Sequence, residues 1–358
     1  MAVTNKWTET LEILRRSPSR WLVTGGAGFI GSHLVQALLR EGQRVRVLDS
    51  FATGGLDNLE AVRRHLPEGS WDRLELVIGD IRDSRRCKLA VRNVDFVLHQ
   101  AAFVSVPASI EHPDEAHSVN VTGSVNLLLA CREAEVRRVV VASSAAVYGE
   151  QQDLPLRENV PCTPLSPYAA SKAAAEAYVG AFHRAYGLPA VALRYFNVVG
   201  PRQSAAYAAV VPTWLRAMAD GRAPTIFGDG RTTRDFCAVD NVVRANLLAA
   251  LAPADALGRA YNIAAGRQTQ LLDLVEMLQG KLSRLGLARG LPQPTFAPAR
   301  PGDIRRSHAD ITLAREALGY APQVGLDQAL DAMIDDYFRA PRSDAATVSE
   351  LPRLESGT

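Results

Sequence analysis

In the stretch SPYAASK, Tyr168 and Lys172 stand four residues apart, with only Ala169, Ala170 and Ser171 between them. On a helix, positions i and i+4 share a face, so a phenol and an ammonium at this spacing point into the same space. The small residues between them leave room for something large alongside. A phenol titrates near pH ~10, so a tyrosine acting as a base at neutral pH needs its proton loosened by about three units, roughly 4 kcal/mol of electrostatic help. A lysine one turn away and a positively charged cofactor can supply that help together. Ser144, closing the run VVVASS, adds a hydroxyl able to share or pass the proton. In isolation a YxxxK pair is an ordinary solvated helix face and a serine at a strand end is an ordinary turn residue.

Such groups need elements to hold them. From Arg20 to about Phe196 the apolar runs RWLVTG, RVRVLD, LELVIGD, DFVLHQA, RVVVASS and AVALRYFN alternate with helix-like segments. Continuous apolar runs suit strands covered on both faces, and the alternation predicts parallel strands joined by crossover helices. The fold class is therefore α/β, a Rossmann-type doubly wound parallel sheet. After Asn197 the chain becomes richer in Pro and Gly, with short strand candidates (PTIFG, TRDFC, RAYNIAA) and helical stretches (VDNVVRANLLAAL, LLDLVEMLQGKL), which predicts a smaller C-terminal α+β region completing a cleft. The expected organisation is an N-terminal extension over 1–19 and a dinucleotide-binding domain over 20–197 that takes back segments from the C-terminal half. A substrate-binding region over 198–340 and a disordered polar tail over 341–358 follow.

The turn after the first strand reads TGGAGFIGSHL. Gly25, Gly28 and Gly31 fit one glycine-rich spacing and Gly26, Gly28 and Gly31 another, with Phe29 and Ile30 opening the helix. Glycines here permit a tight bend and let the backbone approach a pyrophosphate, which the helix N-terminus stabilises through its unpaired N–H groups and dipole. Asp49 ends the second strand at about the ~20-residue distance where a carboxylate receives the ribose hydroxyls of NAD and repels a 2′-phosphate; the alternative is a strand-end turn. Asp80 and Ile81 end the third strand, where they either hold an adenine or form a simple turn. Gln100, Ala101 and Ala102 close the fourth with mostly small side chains that let a cofactor lie flat. Asn120 heads a helix-like run as either a cap or an anchor for the cofactor loop.

Composition bounds the ligand. The chain has 358 residues, 47% hydrophobic, with 40 basic against 38 acidic side chains. A charge this close to balance, without a long basic run, carries no footprint of nucleic acid or of a membrane surface. Four scattered cysteines with no CxxC pair and no Cys/His cluster read as free thiols, and no metal site is expected. The amphipathic start and the lack of a long apolar run point to a cytoplasmic protein.

With these motifs in order (TGGAGFIG, GDIRD, SSAAVYG, SPYAASK, LRYFNVVGPR, TRDFCAVDNV and RPGDIRRSHAD), the chain from about Trp21 to Phe338 resembles the extended short-chain dehydrogenases/reductases, and within them the nucleotide-sugar epimerase/dehydratase family. The resemblance implies NAD as cofactor, Ser144, Tyr168 and Lys172 as the catalytic set, and Tyr195 beside the cofactor. It implies a UDP-sugar gripped by Asn197, Arg234, Arg300 and Asp303, with Thr225 and Phe227 flanking the uracil and Ala209 and Val210 nearby. It also implies a homodimer through a four-helix bundle built from the helices after Asn120 and Tyr168, whose apolar content agrees.

Two alanines decide the expected reaction. Family dehydratases carry an acid–base pair just after the catalytic serine or threonine and decarboxylases a glutamate, whereas this chain has Ala145 and Ala146. The chemistry then stops at reversible oxidation of the C4 alcohol, a 4-epimerisation through a transient 4-keto sugar. Ser307 stands where epimerases restricted to plain hexoses carry a bulky tyrosine, leaving room for an N-acetyl group. Together with Ser105 to Pro107 and AYAAVVP it resembles epimerases of UDP-N-acetylglucosamine and its galactose isomer. Those relatives carry serines in place of Ala145 and Ala146 and a glycine in place of Val104, departures that shift preference toward UDP-glucose or a UDP-uronic acid. Arg202, Arg305 and Arg306 are either partners of a uronate carboxylate or, by the favoured reading, solvated surface side chains.

Overall fold

The computed structural model describes residues 6–204, 209–287, 290, 292–299 and 304–339. The strands are β1 Arg20–Thr24, β2 Arg44–Asp49, β3 Leu74–Ile78, β4 Phe96–His99, β5 Arg138–Ser144, β6 Ala190–Tyr195, β7 Asn197–Val199, β8 Thr225–Phe227, β9 Thr233–Arg234, β10 Phe236–Ala238, β11 Ala260–Ile263, β12 Thr269–Gln270 and β13 Thr295–Ala297. The α-helices are α1 Lys6–Arg16, α2 Phe29–Arg40, α3 Leu56–Arg64, α4 Ser84–Val91, α5 Val106–Glu111, α6 Pro113–His117, α7 Ser124–Glu133, α8 Pro167–Tyr186, α9 Val210–Ala219, α10 Val239–Ala250, α11 Leu271–Arg284, α12 Thr312–Leu318 and α13 Leu326–Arg339.

Seven strands form one parallel sheet in the order β11-β6-β5-β4-β1-β2-β3. Successive residues of each strand feed opposite layers: Trp21 and Val23 join one core cluster, Leu22 and Val97 the other. That two-sided burial is the reason these segments are apolar throughout. The winding direction reverses between β1 and β4, and at such a switch point the loops beyond the strand ends part to form a crevice. The chain after Gly25 and the chain after Gln100 therefore face each other across its floor.

Helix α1 seals the opposite, N-terminal edge of the sheet. The buried Gln43 side chain is fully used there, accepting from Trp21 Nε1 (3.0 Å) and the Ser19 N–H (3.0 Å) and donating to the carbonyls of Leu14 (2.7 Å) and Glu41 (3.0 Å). A buried amide satisfied on both ends fixes α1 without the penalty of an unpaired polar group. Trp7 of α1 lies beneath the Arg244 guanidinium at 4.6 Å.

The second region has its own core, in which Trp214 and Leu215 of α9, Leu274 and Leu278 of α11, and Leu330 and Ile334 of α13 meet. Its strands form small pairs, β7 with β10, β9 with β12 and β8 with β13. Asp235, fully buried, ties these parts together by accepting from the N–H groups of Ala265 (2.9 Å), Gly266 (3.1 Å) and Ala309 (3.2 Å). The expected tail over 341–358 lies outside the described residues. Among the described residues no helix is long and apolar enough to cross a membrane.

Candidate active site

Two clefts share a wall at the carboxyl ends of the strands. A long groove of about 420 Å³ runs from the glycine turn past Asp49 and Asp80 to Ser144, Tyr168 and Lys172, and a second cleft of about 240 Å³ opens toward Arg234 and Ser307. Ser144, Tyr168, Tyr195, Phe196 and Asn197 line both.

Helix α8 presents the tyrosine and lysine. Ser166 caps it by accepting from the Ala169 N–H (3.2 Å), Pro167 occupies the first turn, and Gly187 ends it in the left-handed conformation. The otherwise unpaired N–H of Tyr168 donates to Ser109 Oγ of α5 (3.1 Å). A six-residue π-turn over Ser118–Gly123 carries Asn120, whose Oδ1 accepts from Phe103 N–H (2.8 Å) while Nδ2 donates to Phe103 O (2.9 Å) and to Ser171 Oγ (2.8 Å). Asn120 is not the N-cap of its turn, which is His117. It stands behind the groove wall and ties the loop after β4 to α8.

The electrostatics differ from the simplest expectation. Lys172, 6% exposed, donates from Nζ to the Ala142 carbonyl (3.0 Å), and burial lowers its pKa to about 8. Burial holds the Tyr168 phenol above its ordinary value, and only a hydrogen bond with Ser144 works in the opposite direction. The chain's own groups therefore do not loosen the Tyr168 proton; the expected help has to include positive charge brought into the groove. Ser144 Oγ is oriented by accepting from the Ala146 N–H (3.1 Å).

The groove fits a dinucleotide. Gly25 has φ +67°, and a Cβ on it would sit 2.7 Å from the Ala101 nitrogen; a Cβ on Gly31 would overlap the Gly25 carbonyl. Only glycine allows this close wrap. No side chain caps the twelve-residue α2 at Gly28, which leaves its first N–H groups facing the groove for a pyrophosphate. Asp49 accepts from Ala27 N–H and Phe51 N–H (both 2.8 Å), so each oxygen keeps a lone pair for a ribose hydroxyl. Asp80 is held by Arg82, whose guanidinium lies 2.6 Å away and keeps the carboxyl below its usual range. Phe29, Ile30, Ile81, Gln100, Ala101 and Ala102 also line the groove. Tyr195 is locked in a triangle, its hydroxyl 3.2 Å from Gln100 Oε1 and 2.8 Å from Asn246 Nδ2.

The sequence profile of the NAD dependent epimerase/dehydratase family matches residues 21–264. The chain belongs to that family. Membership, taken with the relatives that follow, makes it an NAD-dependent enzyme of the epimerase kind. A UDP-glucose 4-epimerase of Mycolicibacterium smegmatis is 40% identical over 324 residues, covering 89% of this chain and 98% of that relative. A structure of a UDP-N-acetylglucosamine 4-epimerase from Methanobrevibacter ruminantium in complex with UDP-N-acetylmuramic acid superposes with a TM-score of 0.81 at 34% identity, covering 90% of this chain and 98% of the other. A UDP-glucuronic acid 4-epimerase from Bacillus cereus in complex with UDP-glucuronic acid and NAD gives 0.79 at 31% identity, covering 88% and 98%.

The substrate residues expected from resemblance are distributed unevenly in this family member. Ser144, Asn197, Arg234 and Ser307 line the second cleft, and Val104, Ala209 and Val210 line the long groove. Ser105 lines neither; it is the N-cap of α5, accepting from Ala108 N–H (3.2 Å). Thr225 and Phe227 also stand apart from both linings, Thr225 Oγ1 lying 3.2 Å from Thr295 Oγ1 where β8 pairs β13. Arg300 and Asp303 lie outside the described residues. None of the three candidate carboxylate partners is in either lining: the Arg202 backbone N–H donates to Asp336 Oδ2 (2.8 Å), the Arg305 guanidinium lies 3.5 Å from Asp229, and Arg306 donates to the Gln152 carbonyl.

Several organising residues went unread in the sequence. Glu176 and Arg194 form a buried ion pair below Ser143, His99 joins Thr24 (2.7 Å) to Ser124 (3.0 Å), and Asn246 holds Tyr195. Glu176 alone left a signal, lying one helical turn beyond Lys172 on the same face.

Proposed function

We propose that this chain is a UDP-hexose 4-epimerase whose preferred pair is UDP-N-acetylglucosamine and UDP-N-acetylgalactosamine. The observation that carries the substrate is the composition of the second cleft. Around Tyr168 stand Ala145, Ala146, Gly149, Ala169 and Ser307, small residues that leave space for an acetamido group, and Arg234 is the single charged residue among the described lining. A uronate brings a carboxylate that needs a cationic partner, and none of Arg202, Arg305 and Arg306 lines the cleft. The 40% identical relative named a UDP-glucose 4-epimerase favours a second reading, UDP-glucose.

In the proposed reaction Tyr168 takes the proton of the C4 hydroxyl, with Ser144 hydrogen-bonded to the phenolic oxygen and Lys172 fixed one turn below. When bound, NAD supplies the acceptor and the donor of hydride. Ala145 and Ala146 offer no further acid or base, so nothing in the described cleft drives loss of water or carbon dioxide. Arg234, in the lining of the second cleft, is the residue proposed to grip the diphosphate through charge-assisted bonds, while the small residues leave the 4-keto sugar free to turn over before it is reduced on its other face.

A homodimer through α7 and α8 belongs to the same proposal, supported by the exposed Tyr178 (41%) and Tyr186 (53%) on α8. Free cysteines, three of four buried, support a cytoplasmic location. Incubating the protein with UDP-N-acetylglucosamine, UDP-glucose and UDP-glucuronate and resolving products by NMR tests the function. The C4 epimer forming fastest from the acetylated sugar supports it. Fastest turnover of the uronate, or loss of water or carbon dioxide from any substrate, refutes it.

A further inference from the structure

Three consecutive residues of β5 are bound by one face of α8. Tyr168 is hydrogen-bonded to Ser144, Lys172 donates to Ala142 O, and Glu176 accepts from Ser143 Oγ (2.8 Å). The first two belong to the chemistry described above. Glu176 lines neither cleft.

The Glu176 carboxylate also receives Arg194 through Nε (3.0 Å) and Nη2 (2.5 Å), with both side chains nearly buried (13% and 6% exposed). Arg194 sits on β6 directly opposite Ser143 in the parallel register. Its Nη1 donates to the Tyr148 hydroxyl (2.7 Å) and to the Glu158 carbonyl (3.2 Å), and the Tyr148 hydroxyl donates to Asn262 Oδ1 (2.6 Å). Tyr148 is fully buried and ends the short helical turn Ala145–Tyr148 that leaves Ser144.

Ser144 is thus bracketed. The residue before it is held by Glu176, and the turn after it is held by Arg194. A buried ion pair is weak evidence for stability, because desolvating two charges offsets most of their attraction. Placing this pair under a strand end that carries a reacting hydroxyl has a different consequence: it fixes the position from which Ser144 meets Tyr168. We propose that the Glu176–Arg194 pair is a positioning clamp for Ser144, acting through Ser143 on one side and Tyr148 on the other. The inference rests on the reading of Ser144 and Tyr168 as the site of proton transfer. Glu176 and Arg194 are positioning residues and touch no substrate.

Ser143→Ala cuts one arm and Tyr148→Phe the other, each removing a single hydroxyl and leaving the ion pair in place. The expected result is a kcat about 3- to 30-fold lower in each, with KM and bound NAD within twofold of the parent. The acid limb of the kcat–pH profile moves to higher pH, because a loosened Ser144 favours the Tyr168 phenolate less. Ser143→Thr, which keeps the hydroxyl, restores most of the rate. Combining the two cuts gives less than the product of their separate effects. An unchanged kcat and pH limb in both single variants overturns the clamp, as does a kcat loss explained by lost NAD. If the parent itself turns over no UDP-sugar, the underlying reading has failed; if the parent is active, Tyr168→Phe is dead and both cuts are silent, only the clamp has failed.

Discussion

The Lys172 ammonium lies 3.0 Å from the carbonyl oxygen of Ala142, two residues before Ser144 on the same strand. The lysine is therefore fixed to the strand that carries the serine. Its charge is held in a buried position, where it needs positive charge brought into the groove beside it to loosen the phenol and where it disfavours the folded state of the protein at neutral pH.

Replacing Lys172 by Met should expose that conflict. The folded protein binds the lysine proton more weakly (pKa about 8) than the unfolded chain does (10.5). Below pH 8 the burial cost is present in full, on the order of 3 kcal/mol, and it fades as pH rises through the window between those values. K172M is expected to melt a few degrees higher than the parent at pH 7, by an amount that shrinks toward about pH 10, while turnover is lost. A lower melting temperature at pH 7 would mean that the bond to Ala142 outweighs the desolvation.

Acid should act early through two histidines. Burial lowers the pKa of His33 and of His99 to about 3, against 6.5 in an unfolded chain. Between those values the unfolded chain takes up protons that the folded protein does not, so stability falls as pH drops from about 6.5 toward 3. Melting temperature measured over this range should decline from the upper end, before carboxylates titrate, and His33→Gln should flatten the decline. A flat profile down to about pH 4.5 would contradict the two shifts.

Tyr168→Phe keeps the ring and removes the base. Turnover should fall by at least ~10³-fold, within the range for losing general-base catalysis, while NAD bound to the purified protein stays at the parent level. Activity within tenfold of the parent would remove Tyr168 from its role.

Ser307→Tyr narrows the second cleft at a residue only 6% exposed. Specificity constants for N-acetylated substrates should fall by ~10-fold or more relative to plain hexoses. An equal effect on both classes would show that the acetamido group lies elsewhere.

The parallel sheet, the glycine turn and the Tyr168–Lys172 face were legible in the sequence because each depends on local signals: continuous apolar runs, glycine spacing and helical periodicity. Ser105 was equally legible as a cap, preceding Pro107 at a helix start, and the substrate role expected from resemblance obscured it. The partners that hold the site were not legible. Arg194 meets Tyr148 across 46 residues, Asn246 meets Tyr195 across 51 and Asp235 meets Ala309 across 74. Pairings of that range are set by how the layers pack, and no local pattern announces them. Thr225 and Phe227, drawn from resemblance alone, stand apart from both clefts.

Inversion at C4 with the carbon's own hydrogen leaving and coming back is the central claim, and an isotope label reads it directly. UDP-N-acetylglucosamine carrying deuterium at C4 should be converted in ordinary water to its galactose isomer with the deuterium still on C4. Replacement of that deuterium by solvent hydrogen, or the absence of any C4 epimer from active, NAD-loaded protein, would contradict it.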